Sequence, residues 1–105
     1  MTKQEILKSI FRTLHKLKAT DRMLNGNKHP NRIQKLEQEA QDLLETNFEK
    51  IENNDINIFI SKINKNAEKA KQEVLTTEDI HNEALRIASY IDETLDTLKR
   101  IKELI

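Results

Sequence analysis

Apolar residues recur at three- and four-residue intervals in four stretches of the chain, separated by short polar breaks. In the first, Ile6, Leu7, Ile10, Phe11, Leu14 and Leu17 fall on one helical face, and Met23 and Leu24 extend it by a turn. Thr2 and Glu5 stand at capping-box spacing, so hydroxyl and carboxylate can each satisfy an orphan backbone N–H at the helix start. The run Asn25-Gly26-Asn27-Lys28-His29-Pro30 predicts its end, because Gly or Asn takes a left-handed cap and Pro restricts the residue before it.

A second stripe, Ile33, Leu36, Ala40, Leu43, Leu44, Phe48 and Ile51, predicts a helix capped by Asn31 and broken at Asn53-Asn54-Asp55. Asn54 or Asp55 then caps a third, carrying Ile56, Phe59, Ile60, Ile63, Ala67, Ala70 and Val74. Thr76 with Asp79 has capping-box spacing again and predicts a fourth helix from 77 to 104, the longest at about 40 Å. Its stripe is Ile80, Ala84, Ile87, Ile91, Leu95, Leu98, Ile101 and Ile105. Short breaks between amphipathic helices of this length predict an all-α, antiparallel four-helix bundle, up-down-up-down, in a single domain over residues 1–105. A long coiled coil is the alternative, since the third and fourth stripes approach heptads, but the capped breaks argue against it.

Composition changes that picture little and narrows the chemistry. At 105 residues and 34% charged, with 4% aromatic, disorder competes with folding, and the periodicity decides for folding. With no Cys, there are no disulfides, thiolate metal sites or thiol nucleophiles. A single Gly excludes glycine-rich phosphate loops. Glu78-x-x-His81 is one copy of a motif that di-iron bundles carry twice; His15 and His29 have no ligand partner at helical spacing, and solvated histidines are expected. The carboxylates fall mostly off the apolar stripes, where nothing shifts their pKa values. An enzyme is therefore not expected, nor a cofactor, a metal or a small-molecule substrate. No apolar run approaches the roughly 20 residues of a membrane span, and the expected location is cytoplasmic.

Eighteen basic residues balance eighteen acidic ones, which argues against a generic nucleic-acid binder. The zero conceals a pattern: residues 1–30 carry +5, 31–54 carry −3, 55–75 carry +1 and 76–105 carry −3. One reading is that a basic first helix pairs with acidic neighbours. The other is that Lys3, Lys8, Arg12, Lys16, Lys18 and Arg22 face an acidic partner or anionic lipid, with Lys8 and Arg12 as candidate contacts. Lys99, Arg100 and Lys102 suit a helix C-terminus, and should the last helix overhang the bundle, Leu98, Ile101, Leu104 and Ile105 form an apolar partner surface.

Phe59-Ile60-Ser61-Lys62-Ile63-Asn64, then Ala67-Glu68-Lys69-Ala70, then Leu75-Thr76-Thr77-Glu78-Asp79, resemble the third helix and helix-four cap of the immunity proteins of pediocin-like bacteriocins. Ile33 to Leu44 looks like that family's second helix, and the resemblance spans roughly residues 5 to 91. The family's irregular, often aromatic C-terminal tail has no counterpart, since helical periodicity runs to Ile105 and Tyr90 is the last aromatic. The resemblance implies a non-enzymatic protector of the producing cell, acting on the bacteriocin–receptor complex at the cytoplasmic face of a sugar-phosphotransferase permease, with peripheral contact to the inner membrane face. It implies that Arg86 to Ile105 set specificity, with Arg86, Tyr90, Lys99, Arg100 and Lys102 as candidate partner-binding residues. The alternative function is a helical adaptor or assembly subunit of a larger complex.

Overall fold

The computed structural model describes residues 1–24 and 28–105, so the expected glycine-centred cap at Asn25-Gly26-Asn27 lies outside the described residues. Four helices pack on one another: α1 (Lys3–Arg22), α2 (Pro30–Glu45), α3 (Asp55–Thr76) and α4 (Ile80–Glu103). Nineteen buried apolar residues, drawn from all four helices together with Leu24 and Ile51, form one core cluster. The exposed area of 6447 Å² is close to the roughly 6,000 Å² expected for a folded chain of this mass. The fold is an all-α four-helix bundle, elongated at 43 × 22 × 17 Å.

The Thr2/Glu5 capping box forms as the sequence predicts: the Glu5 N–H donates to Thr2 Oγ1 at 3.3 Å and the Thr2 N–H to Glu5 Oε1 at 3.1 Å. The next two starts differ in detail. Helix α2 begins at Pro30, one residue before the expected Asn31 cap, because Pro at the first helical position has its φ preset and no N–H to satisfy. Helix α3 has Asn54 at its cap without a side-chain bond; Asn53 Oδ1 instead accepts the Asp55 N–H at 2.9 Å. The Thr76/Asp79 box does not form. Thr76 stays inside α3 with its hydroxyl donating back to Gln72 O, and Asp79 becomes the cap of α4, Oδ1 accepting the Asn82 N–H at 3.2 Å. Helix α4 thus starts at Ile80 and, at 24 residues, is still the longest.

The largest departure is in the second stripe. Helix α2 stops at Glu45, and Phe48 and Ile51 lie in an extended segment. There the Lys3 N–H donates to Glu49 O and the Ile51 N–H to Met1 O, each at 2.9 Å, a short bridge pairing the start of the chain with residues 49–51. Ile51 is buried all the same, so its apolarity reflects the core rather than a helix.

Side-chain pairs set the helix directions. Lys18–Glu37 and Lys3–Thr46 run α1 and α2 antiparallel, and Asn66–Glu93 and Tyr90–Glu73 do the same for α3 and α4. Thr13–Asn64 and Lys16–Glu68 make α1 and α3 parallel, as Arg32–Asp92 and Lys102–Glu39 make α2 and α4. Chain direction alternates, up-down-up-down, but the helices are not in chain order around the bundle. Helix α1 packs on α2 and α3, and α4 on α2 and α3, while α2 and α3 stand apart on a diagonal. Residues 46–54 cross that diagonal, which is why α2 ends early.

Four threonines enter the core that apolar periodicity passes over. Thr20, Thr94 and Thr97 donate to the carbonyls of Lys16, Tyr90 and Glu93 one turn earlier, and Thr13 donates to Asn64 Oδ1 across to α3. Each buried hydroxyl is satisfied, which removes the penalty for its burial.

Candidate functional site

Ring order has an electrostatic consequence. Helices α1 and α3, now neighbours, hold ten Lys/Arg against five Asp/Glu; α2 and α4, also neighbours, hold six against nine. Had the helices stood in chain order, positive and negative would have alternated around the bundle. Instead the molecule has a basic side and an acidic side.

On the basic side, part of α1 is engaged internally, though only Lys18 pairs with an acidic neighbour helix as the pairing account expects. Lys16 pairs with Glu68 and holds that carboxyl below the ordinary range through its hydrogen bond and charge. Lys18 reaches Glu37 at 3.0 Å, while Lys3 donates to Thr46 O at 2.7 Å and lies 5.2 Å over the Phe48 ring. Lys8, Arg12 and Arg22 remain exposed, without an ion pair among the described residues. On α3, Lys62, Lys65 and Lys69 are exposed and likewise unpaired. With Asn57, Ile58 and Ser61 they line a shallow, open depression of about 520 Å³. The spacing 62, 65, 69 was legible as one helical stripe, but the segment total of +1 hid it, because Asp55, Glu68 and Glu73 cancel it arithmetically, although Glu68 is paired with Lys16 and Glu73 bonds Tyr90.

The residues expected on α4 fall into separate places. Lys102 donates to Glu39 at 2.5 Å and Asp42 at 3.4 Å, stapling the end of α4 to α2. Burial works to lower the Lys102 ammonium, and the bonds and charges of Glu39 and Asp42 outweigh it, so it is held above the ordinary lysine value. The overhang does not occur. Leu98 and Ile101 are buried against the other helices, and of the four residues only Ile105 is exposed. We expect Lys102→Met to lose about 1 kcal/mol, by stranding the half-buried Glu39 carboxylate. A urea midpoint unchanged from the parent would refute that role. The loss should shrink at alkaline pH, since a raised lysine pKa contributes stability that disappears as pH climbs through the folded value.

Lys99 and Arg100 are exposed near the same end, and Arg86 and Tyr90 lie two to four turns away toward the other. Tyr90 is only partly exposed: its hydroxyl donates to Glu73 Oε1 at 2.8 Å, tying α4 to α3. Burial first, then Glu73, pushes the phenol up to about 12. Arg86 is exposed and donates through Nη1 to Glu83 Oε2 at 3.3 Å. Glu83 itself is 1% exposed, a buried carboxyl the apolar pattern did not anticipate. Burial, then the charge and hydrogen bond of Glu73, push its pKa up against the opposing Arg86. Glu73 Oε2 and Glu83 Oε1 are both buried without a hydrogen-bond partner among the described residues.

The histidines differ from the solvated expectation in one case. His29 donates from Nε2 to Ala84 O at 2.8 Å and from its backbone N–H to Asp21 Oδ2, pinning the start of α2 to α4 and to the end of α1. His15 and His81 are exposed. Among the described residues no group of three or more His, Asp and Glu is arranged to hold a metal ion, and no helix is long and apolar enough to cross a membrane. No protein-family model matches the chain, no curated protein matches it, and no solved structure matches it.

Proposed function

We propose that this protein is a non-enzymatic bacteriocin immunity protein. It would protect the producing cell by binding the bacteriocin–receptor complex at the inner face of the membrane, where a sugar-phosphotransferase permease is the expected receptor. The observation that carries the reading is the two-sided charge distribution. A basic α1/α3 side suits an anionic membrane face, and an acidic α2/α4 side remains available to a membrane-embedded protein. The four-helix order that the family resemblance implies agrees with the fold. Lys99 and Arg100 stay exposed on α4 for specificity contacts, whereas Lys102 and Tyr90 hold the helices together. Expression in a strain sensitive to pediocin-like peptides tests the reading. Protection against at least one peptide is expected, and unchanged killing by a panel of them overturns it.

A helical adaptor is the second reading, supported by Met23, Leu75, Ile80 and Leu85, four exposed apolar residues near the end where α1 and α3 finish and α4 begins. Size measurement in solution separates the two. A monodisperse monomer fits immunity, and an obligate dimer fits the adaptor.

A further inference from the structure

Lys62, Lys65 and Lys69 fall within seven residues of α3, so their Cα atoms span about 10 Å of one helix surface. None has a carboxylate partner among the described residues, and the nearby Glu68 is taken by Lys16. Ile58, one turn before Lys62, is 64% exposed, the most exposed large apolar side chain of the core helices. The antiparallel register fixed by Asn66–Glu93 places Arg100 of α4 level with Ile58, at the same end of this stripe.

An isoleucine among unpaired, long-stemmed cations around a shallow, open depression is chemically amphipathic. A partner helix needs a row of apolar anchors, and base recognition needs aromatic platforms; the lining of this depression has one large apolar side chain, Ile58, and no aromatic. A plane of anionic headgroups needs only charge at intervals and a short apolar side chain reaching below the phosphates, with lysine stems lying along the interface. We infer that the exposed face of α3 is a docking surface for an anionic lipid bilayer, with Lys62, Lys65 and Lys69 on lipid phosphates and Ile58 entering the interface. The inference rests on the proposed action at the membrane and assigns the lipid contact to α3, where three unpaired lysines flank an exposed isoleucine, whereas Lys3, Lys16 and Lys18 of α1 are engaged within the bundle.

Co-sedimentation of the full chain with vesicles tests it. Binding is expected to vesicles of equal parts phosphatidylglycerol and phosphatidylcholine, not to phosphatidylcholine alone, and it should weaken at high salt. The triple variant Lys62→Gln, Lys65→Gln, Lys69→Gln should bind on the order of a hundredfold more weakly. A second triple, Lys28→Gln, Lys35→Gln, Lys50→Gln, makes the same change in net charge at residues outside α3 and should bind nearly as the parent does. Ile58→Ser should weaken binding while leaving its salt dependence unchanged. Circular dichroism checks that each variant is helical. Absence of binding to the anionic vesicles overturns the inference, as does equal loss in both triples or tighter binding to a single-stranded RNA than to vesicles. Protection of a sensitive strain that persists without vesicle binding overturns this inference alone and leaves the immunity reading intact.

Discussion

Replacing Ile63 by Ala should destabilise the protein by roughly 2–5 kcal/mol, the range for removing a fully buried branched side chain and leaving a cavity. Ile63 is 0% exposed on α3, the helix that packs against both α1 and α4. A domain of this size has about 5–15 kcal/mol of stability in all, so the variant should unfold at markedly lower urea and lose ten degrees or more in Tm. Ile58 supplies an internal control: the same residue type lies five positions earlier on the same helix, 64% exposed. Ile58→Ala should fall within about 0.5 kcal/mol of the parent. Equal losses at the two sites, read from urea denaturation, would refute the assignment of α3 faces on which the lipid-docking inference also depends.

The second large effect depends on pH. Glu83→Gln should stabilise the protein by about 1–2 kcal/mol near pH 8 and leave it unchanged near pH 4. Glu83 is buried beside Glu73, with a folded pKa raised by burial and by that neighbour's charge. A carboxyl with a raised folded pKa binds its proton more tightly in the native state than in the unfolded chain. Its favourable contribution is complete below the unfolded value near 4.5 and lost as pH rises through the folded value. Glutamine keeps an oxygen for Arg86 and supplies a permanent N–H donor toward Glu73, so it mimics the protonated acid at every pH. Urea denaturation of both proteins at the two pH values measures the difference. A gain that is the same at both, or a loss near pH 8, would refute a raised pKa for Glu83.

These two residues also show how far the sequence could be read. Ile63 stood in the predicted third stripe because apolar spacing reports a helix face directly, whatever that face packs against. Glu83 did not, because a carboxylate carries no apolar signal; only the meeting of α3 and α4 encloses it beside Glu73. The buried threonines escaped notice for a related reason, since their hydroxyls are satisfied by local carbonyls or by Asn64, which a hydropathy pattern does not register. Phe48 and Ile51 misled in the opposite sense: apolar residues at helical spacing, one partly and one fully buried, they belong to an extended crossing whose hydrogen bonds come from the start of the chain.

Among the candidate contacts, Lys102 and Tyr90 were legible as residues near a core stripe, but their partners Glu39, Asp42 and Glu73 lie on other helices. Local spacing determines four amphipathic helices, the Thr2/Glu5 cap, most of the core and a net charge of zero. Which helices become neighbours depends on long-range packing and on how residues 46–54 cross between them, and no local spacing encodes that. That choice alone set α1 at +4 beside α3 at +1 and α2 at −2 beside α4 at −1, turning a charge sequence that alternates along the chain into a molecule with a basic side and an acidic one.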